Sequence, residues 1–419
     1  MEKLESEELM YRITTECRSC GSKNLEKIIY FGDTALSDAL LTKEMLDKPE
    51  LKVPLTLAFC KDCTLVQILE EVQPEILFCR NYPYYSSVSK YLLEHFAKSA
   101  NSIIKEKKLD NNSLVIEAAS NDGYMLKNFV EKGIPVLGID PAEGQVKIAN
   151  DKGIRSLNEF FTSELANKLH DKDELSADVF LANNVLAHVP DLNGFVDGIF
   201  TLLKETGTAV IEAPYLMDLI DHCEFDTIYH QHLCYFSVTA LDKLFRRHKL
   251  FLNRIERVAI HGGTLRLFIE KEENPQDSVK VLLKEEADRN VADILIYKQF
   301  AERIHSIKSS LLQMLDNIKK DGKTIVGYGA AAKANTLTGY FGIGNNYLEA
   351  IADLSKFKQG LFFSGNHLPI VSPAEISEKN YDYMLILAWN FANEIMEQQQ
   401  EFKNKGGKFI IPIPEPKIV

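Results

Sequence analysis

An α/β chain of three units, with a doubly wound Rossmann-like sheet in the middle one, is the fold class the sequence predicts, and three features predict it. The first is Leu114 to Asp140, which reads as an apolar strand, a small-residue loop, a helix and a second strand ending in an acid. Upstream stand two Cys-x-x-Cys pairs, and downstream a second strand runs into a Gly-rich turn and a helix. At 419 residues the chain exceeds what one hydrophobic core usually fills, in keeping with several domains.

The first unit, residues 1–80, holds Cys17-Arg18-Ser19-Cys20-Gly21 and Cys60-Lys61-Asp62-Cys63. Each pair can bring two thiolates to one ion from a tight turn, and Gly21 permits the left-handed backbone such a turn often uses. Four soft thiolates suit tetrahedral zinc in a closed, structural site with no open position. The other reading is four unligated core cysteines. Between Cys20 and Cys60 lie 39 residues, so Phe31 to Ala58 must form a structured insertion. Cys79, Cys223 and Cys234 read as ordinary small residues. An odd total of seven cysteines, four of them closely paired, favours metal ligation in a reducing cytoplasm over a disulfide framework.

The second unit, residues 81–270, alternates strands near 114–117, 136–139, 178–182 and 207–212 with amphipathic helices. Ligands bind outside the carboxyl ends of such strands, where an acid such as Asp140 can accept both hydroxyls of a ribose. The loop Glu117-Ala118-Ala119-Ser120-Asn121-Asp122-Gly123 has one glycine, whereas a pyrophosphate needs closer backbone approach from three. S-adenosylmethionine has an amino-acid end instead, and the loop backbone with Ala119, Asn121 and Asn183 can hold it. Asn183 and Asn184 end a strand and face the same crevice, followed by His188.

The third unit, residues 271–419, opens with a charged helical stretch, Ser278 to Lys319, read as an interdomain strut. Lys323 to Val326 then leads into Gly327-Tyr328-Gly329-Ala330-Ala331-Ala332-Lys333, and strands follow at 350–353 and 383–387, a second Rossmann-like unit. Gly327, Gly329 and Ala332, with Asp353 26 positions beyond Gly327, satisfy a nicotinamide fingerprint, so an NAD-dependent sugar oxidoreductase is an alternative reading. Lys333, opening the helix, more naturally meets a phosphate or carboxylate.

Between these units lies Glu224-Phe225-Asp226-Thr227-Ile228-Tyr229-His230-Gln231-His232-Leu233-Cys234-Tyr235-Phe236-Ser237, which offers acid, base and hydrogen-bond donor together. Extended, it would put Tyr229 and Gln231 on one face; turned, it would let Tyr229 and His232 converge. Structural hydrogen bonding is the bland alternative, and a His-x-His metal pair lacks an obvious completing ligand. Tyr82, Tyr84 and Tyr85, with Ser86, form a second hydroxyl-rich group.

A net charge of −12 and an acidic pI argue against nucleic acid as the main partner. No apolar run approaches a membrane span and the first eight residues are polar, so the expectation is a cytoplasmic protein with no membrane partner.

These residues resemble the three-domain nucleotide-sugar C-methyltransferases, which act on 4-keto deoxysugars. The likeness covers almost the whole chain: the paired Cys-x-x-Cys, Tyr84-Tyr85-Ser86-Ser87, Glu117 to Gly123, Tyr229 to Ser237, His261-Gly262-Gly263-Thr264-Leu265-Arg266, Gly327 to Lys333, Lys358-Gln359-Gly360 and Gly365-Asn366-His367-Leu368-Pro369. The resemblance implies an N-terminal zinc domain, a central S-adenosylmethionine domain and a C-terminal Rossmann-like domain that helps hold a dTDP- or GDP-linked 4-keto-6-deoxysugar. It implies His232 as base beside Tyr229, with Gln231, Tyr82, Tyr84 and His188 around them. It places Tyr85, Ser86, His261, Arg266, Tyr328, Lys333, Asn335, Lys358 and His367 on the substrate. The family usually has Glu where this chain has Gln231, which leaves a neutral group beside the base and gives some support to a non-catalytic, zinc-stabilised binding protein. The chemistry is coherent, because a 4-keto group acidifies the C3 proton and a histidine with an ordinary pKa of about 6.5 can take it near neutrality. The enolate oxygen then needs a donor, which Tyr229 or the Tyr82 group can supply.

Overall fold

A computed structural model describes residues 10–79, 86–88, 90–260 and 262–419. Tyr82, Tyr84, Tyr85 and His261 therefore lie outside the described residues.

Val115–Ala118 is buried at all four positions, the pattern of a parallel strand covered on both faces. It is third in a seven-stranded sheet of spatial order Ser156–Leu157, Val136–Ile139, Val115–Ala118, Ala177–Asn183, Leu203–Pro214, Thr264–Glu270, Phe251–Val258. Thr264–Glu270 runs antiparallel to both its neighbours and the other pairings are parallel. The chain order reverses between Val115–Ala118 and Ala177–Asn183, so the crevice of the sheet opens at their carboxyl ends. All four strands read from the sequence are present. The pair Phe251–Val258 and Thr264–Glu270 escaped that reading, because an irregularity between Leu252 and Arg254 breaks the two-residue alternation of the first strand.

One face of this sheet packs Val115, Leu181, Val210 and Phe268 against Leu92, Phe96, Ala100 and Ile103 of helix Lys90–Lys107, a helical spacing that makes one apolar stripe. The other face is covered by helices Ser163–Asp171 and Leu192–Leu202, started by side-chain caps from Thr162 and Asp191.

The first unit is an antiparallel sheet of Leu25–Ala35, Lys52–Cys60 and Val66–Ile68. The residues between the cysteine pairs supply its two long strands. A fourth strand, Cys234–Tyr235, comes from the central unit and pairs with Val66 and Gln67. In the third unit the order is Ile370–Val371, Ile351–Ala352, Ile325–Tyr328, Tyr383–Ile386, Lys408–Ile411, Lys417–Ile418, with the last pairing alone antiparallel. This is a second doubly wound sheet, and its switch point lies between Ile325–Tyr328 and Tyr383–Ile386.

The expected strut is two helices, Asp277–Asp288 and Ile294–Lys320, the second capped by Asp293. The first packs on helix Val238–Arg247 and strand Phe251–Val258 of the central unit; the second packs on strand Leu25–Ala35 of the first. The break falls at residues 289–293, where Asn290 has a positive φ, and buried Glu286 ties the first helix to the central unit by bonding Tyr215 and the backbone at Val238 and Thr239.

Candidate functional site

The two cysteine turns are built alike. Gly21 N–H donates to the Cys17 carbonyl and Thr64 N–H to the Cys60 carbonyl, both following residues having positive φ. The Sγ atoms of Cys17, Cys20, Cys60 and Cys63 all lie within 4.8 Å of one another, with Cys17 to Cys63 at 3.4 Å and Cys20 to Cys60 at 3.6 Å. Four thiolates at ~2.3 Å from a tetrahedral zinc would stand roughly 3.8 Å apart, so the donor set fits the ion and leaves no coordination position open.

In the central crevice the loop after Val115–Ala118 turns through positive φ at Ala119, Asn121 and Gly123. Gly123 has a φ of 76°, and a Cβ there would meet Ile154 Cδ1 at 2.5 Å, so glycine is favoured. Asp140 ends the next strand, and its carboxylate accepts the backbone N–H groups of Asn121 and Ala142, both at 2.9 Å. It therefore fixes the loop, and each oxygen retains a second lone pair for a ligand hydroxyl. Asn121 Oδ1 accepts the Ser86 N–H at 3.0 Å.

Glu117 is fully buried and Asn183 Nδ2 donates to its Oε1 at 3.0 Å. Among the described residues, Glu117 Oε2, Ser120 Oγ, Asp122 Oδ1 and Asn184 Oδ1 are buried with no hydrogen-bond partner. These atoms belong to the ends of two neighbouring strands and the loop after the first of them, and a ligand rich in donors would satisfy such groups. Burial, helped by the Asp140 and Glu212 carboxylates, pushes the Glu117 pKa well above the usual carboxylate range. A cation beside it, such as the ammonium of S-adenosylmethionine, would relieve that cost, so the residues fit the cofactor.

Asp226 to His232 takes the turned form. His232 N–H donates to the Tyr229 carbonyl at 2.8 Å, which folds the two rings to a centroid separation of 4.2 Å. His232 Nδ1 lies 2.7 Å from the Thr227 carbonyl, which can only accept, so Nδ1 carries the proton and Nε2 the lone pair. Tyr229 Oη donates to that Nε2 at 3.1 Å. His188 packs edge-on to His232 at 4.8 Å, and its Nδ1 donates to the Gln231 carbonyl at 2.6 Å. Burial lowers the His188 pKa to about 4, so it is neutral near pH 7. His230 turns away to the Pro54 carbonyl, so it and His232 do not form a metal pair. Buried Gln231 adds no charge.

The remaining expected residues are spread over two regions. Arg266 stands in the central sheet, bonding Glu212 at 2.8 Å and Glu256 at 3.2 Å, with His95 alongside. Burial works against the Glu212 charge, and His95 and Arg266 outweigh it. In the third unit Lys333 lies 4.0 Å from Asp226 and over the Trp389 ring. Lys358 donates to the Ala330 carbonyl, and Asp353 accepts the Ala330 N–H, so the pair clamps the Gly-rich turn. Asn335 bonds the Ala35 carbonyl of the first unit, Tyr328 is buried against Gln399, and His367 stands 3.3 Å from Glu50. Sequence reasoning placed Asp226 and Thr227 in the polar stretch without giving either a specific role, and it missed Trp389. A backbone carbonyl carries no residue signature, and the single tryptophan of the chain lies 163 positions from its partner Asp226.

Three family models match consecutive stretches: "Putative zinc binding domain" over residues 17–78, "Methyltransferase domain" over 91–250 and "C-methyltransferase C-terminal domain" over 259–414. The chain is 32% identical over 407 residues to the C-methyltransferase NovU of Streptomyces niveus, covering 96% of each chain. Among solved structures it is similar to the magnesium protoporphyrin IX methyltransferase of Synechocystis PCC 6803, at 15% identity and a TM-score of 0.35 over 44% of this chain and 89% of that one. A methyltransferase from Clostridium acetobutylicum gives 10% identity and a TM-score of 0.34, over 44% of this chain and 93% of that one.

Proposed function

The chain belongs to the C-methyltransferase family, whose enzymes depend on S-adenosylmethionine, and from that premise we propose that it methylates C3 of a nucleotide-linked 4-keto-6-deoxysugar. The carrying observation is the run from the Thr227 carbonyl through His232 Nδ1 and Nε2 to the Tyr229 hydroxyl. It presents an imidazole oriented through Nδ1, with the Tyr229 phenol on Nε2, and both side chains are half-buried.

A carbon becomes a nucleophile when a proton next to a carbonyl is removed. Nε2 is the atom that takes the C3 proton in this reading, and Thr227 stabilises the resulting imidazolium through Nδ1–H. When Nε2 turns to the substrate, the Tyr229 hydroxyl is released to donate to the oxygen that becomes an enolate. S-adenosylmethionine supplies a sulfonium methyl electrophilic enough for that carbon to attack. Glu117, Asn183 and the loop to Gly123 hold the amino-acid end, and Asp140 takes the ribose hydroxyls. Lys333 and Lys358, at the carboxyl ends of the third sheet, suit the negative charge of the nucleotide, dTDP or GDP.

The test is C3 proton exchange with deuterated water in the absence of the methyl donor. Wild type should exchange the proton, and His232→Asn should lose about 10²- to 10⁴-fold in rate while still binding S-adenosylmethionine. Undiminished exchange in the variant would move the base to His188 or Tyr229.

A further inference from the structure

Thr227, whose carbonyl orients His232, is itself gripped on both sides by the third unit. On its amino side Asp226 is fully buried, and its Oδ2 accepts the Trp389 Nε1–H at 2.7 Å. On its carboxyl side the Ile228 carbonyl accepts the Thr336 hydroxyl at 2.7 Å. Thr336 is in the helix Ala332–Phe341 that follows strand Ile325–Tyr328, and Trp389 follows strand Tyr383–Ile386, so both come from elements that flank the switch point of the third sheet. Lys333, in the first turn of the same helix, compensates the Asp226 charge from 4.0 Å. The turn Phe225–Thr227 thus cannot shift without breaking a buried bond to the third unit.

We propose that Asp226, Trp389 and Thr336 are positioning residues that hold the His232 imidazole in its Nδ1–H form through the Thr227 carbonyl. The third unit then orients the base as well as facing the substrate. This rests on the reading of His232 as the base, but the relay is visible apart from that chemistry. Thr227 also bonds the Glu224 carbonyl, so with one of its two neighbours released the Thr227 carbonyl keeps local restraints but is held less firmly, and the imidazole gains freedom to rotate or change tautomer. Trp389→Phe removes the Nε1–H and keeps a ring beneath Lys333; Thr336→Val removes the hydroxyl and keeps the shape, and Thr336→Ser restores it.

The measurement is nitrogen NMR of histidine-labelled full-length protein, with the His232 signals assigned by their loss in His232→Asn, together with kcat and KM. Trp389→Phe and Thr336→Val, singly and combined, should convert one Nδ1–H tautomer into a mixture. They should lower kcat by about 3- to 10-fold per lost bond, with KM for the methyl donor unchanged. Thr336→Ser should recover the wild-type spectrum and rate. A single unaltered tautomer in the variants overturns the relay, whether or not the rate falls. A tautomer mixture in the variants, with exchange undiminished in His232→Asn, would leave the relay standing and remove the assignment of the base. The single variants give the same reading if the combined one does not fold.

Discussion

Glu117 carries a cost in the free protein that the ammonium of the proposed cofactor would remove. Its raised pKa means the folded chain holds a proton that the unfolded chain releases at a lower pH. The sign follows: its contribution is fully favourable below the ordinary carboxylate pKa of about 4.3 and is lost as pH rises toward the raised folded value. Without cofactor, wild type should therefore match Glu117→Gln in melting temperature under acid conditions and fall behind it as pH rises. Saturating S-adenosylmethionine should reverse the order at neutral pH, because an ammonium next to the carboxylate favours its charge. A difference between the two proteins that stays constant with pH and cofactor would place the amino-acid end elsewhere. Asp140 differs in kind: burial also raises its pKa, but two backbone N–H groups oppose that and tie it to the loop.

The element that carries the candidate base is the stretch from Glu224 to Ser237, and it is held at both ends. Its amino end is fixed by the third unit through Asp226 and Ile228. At its carboxyl end Ser237 caps helix Val238–Arg247 by accepting the Ala240 N–H, and Glu286 accepts the N–H groups of Val238 and Thr239, the Thr239 hydroxyl and the Tyr215 hydroxyl. Glu286→Ala would strand several buried donors at once, each costing about 1 to 3 kcal/mol when left unpaired. Relaxation and water entry reduce the sum, so we expect a loss of about 2 to 4 kcal/mol by denaturant unfolding. A loss under about 1 kcal/mol would show that this helix start can find other partners.

Across the whole molecule, the metal centre and the candidate base share a sheet. Cys63 is followed within a few residues by strand Val66–Ile68, which pairs with Cys234–Tyr235, and Ile68 N–H donates to the carbonyl of Leu233, the residue after His232. A structural zinc site carries folding energy, so removing the ion should loosen that strand and with it the turn. Titration with a chelator should release one zinc per chain, and methyl transfer should fall in step with it. Backbone hydrogen exchange should rise at residues 66–68 and 229–235. Full activity after complete zinc release would separate the two sites.

Local patterns carried much of this protein in the sequence alone. Apolar runs gave the buried parallel strands, the spacing of two residues within each cysteine pair gave the metal turns, and Tyr229 and His232 stand close enough in the chain for one turn to join them. The acid ending a strand at Asp140 was legible for the same reason, since strand ends follow from pattern. Tertiary structure decided the partners. Arg266 bonds Glu212 because an antiparallel strand lies beside Leu203–Pro214 and leaves a buried carboxylate needing a cation. Cys234–Tyr235 joins the first sheet because its free edge at Val66–Ile68 lies against the turn. Trp389 meets Asp226 because a switch point in one sheet packs on the loop of another unit. Periodicity reports which face of an element is apolar, whereas a buried polar group selects its partner by distance in space, and only the packed chain brings such residues together.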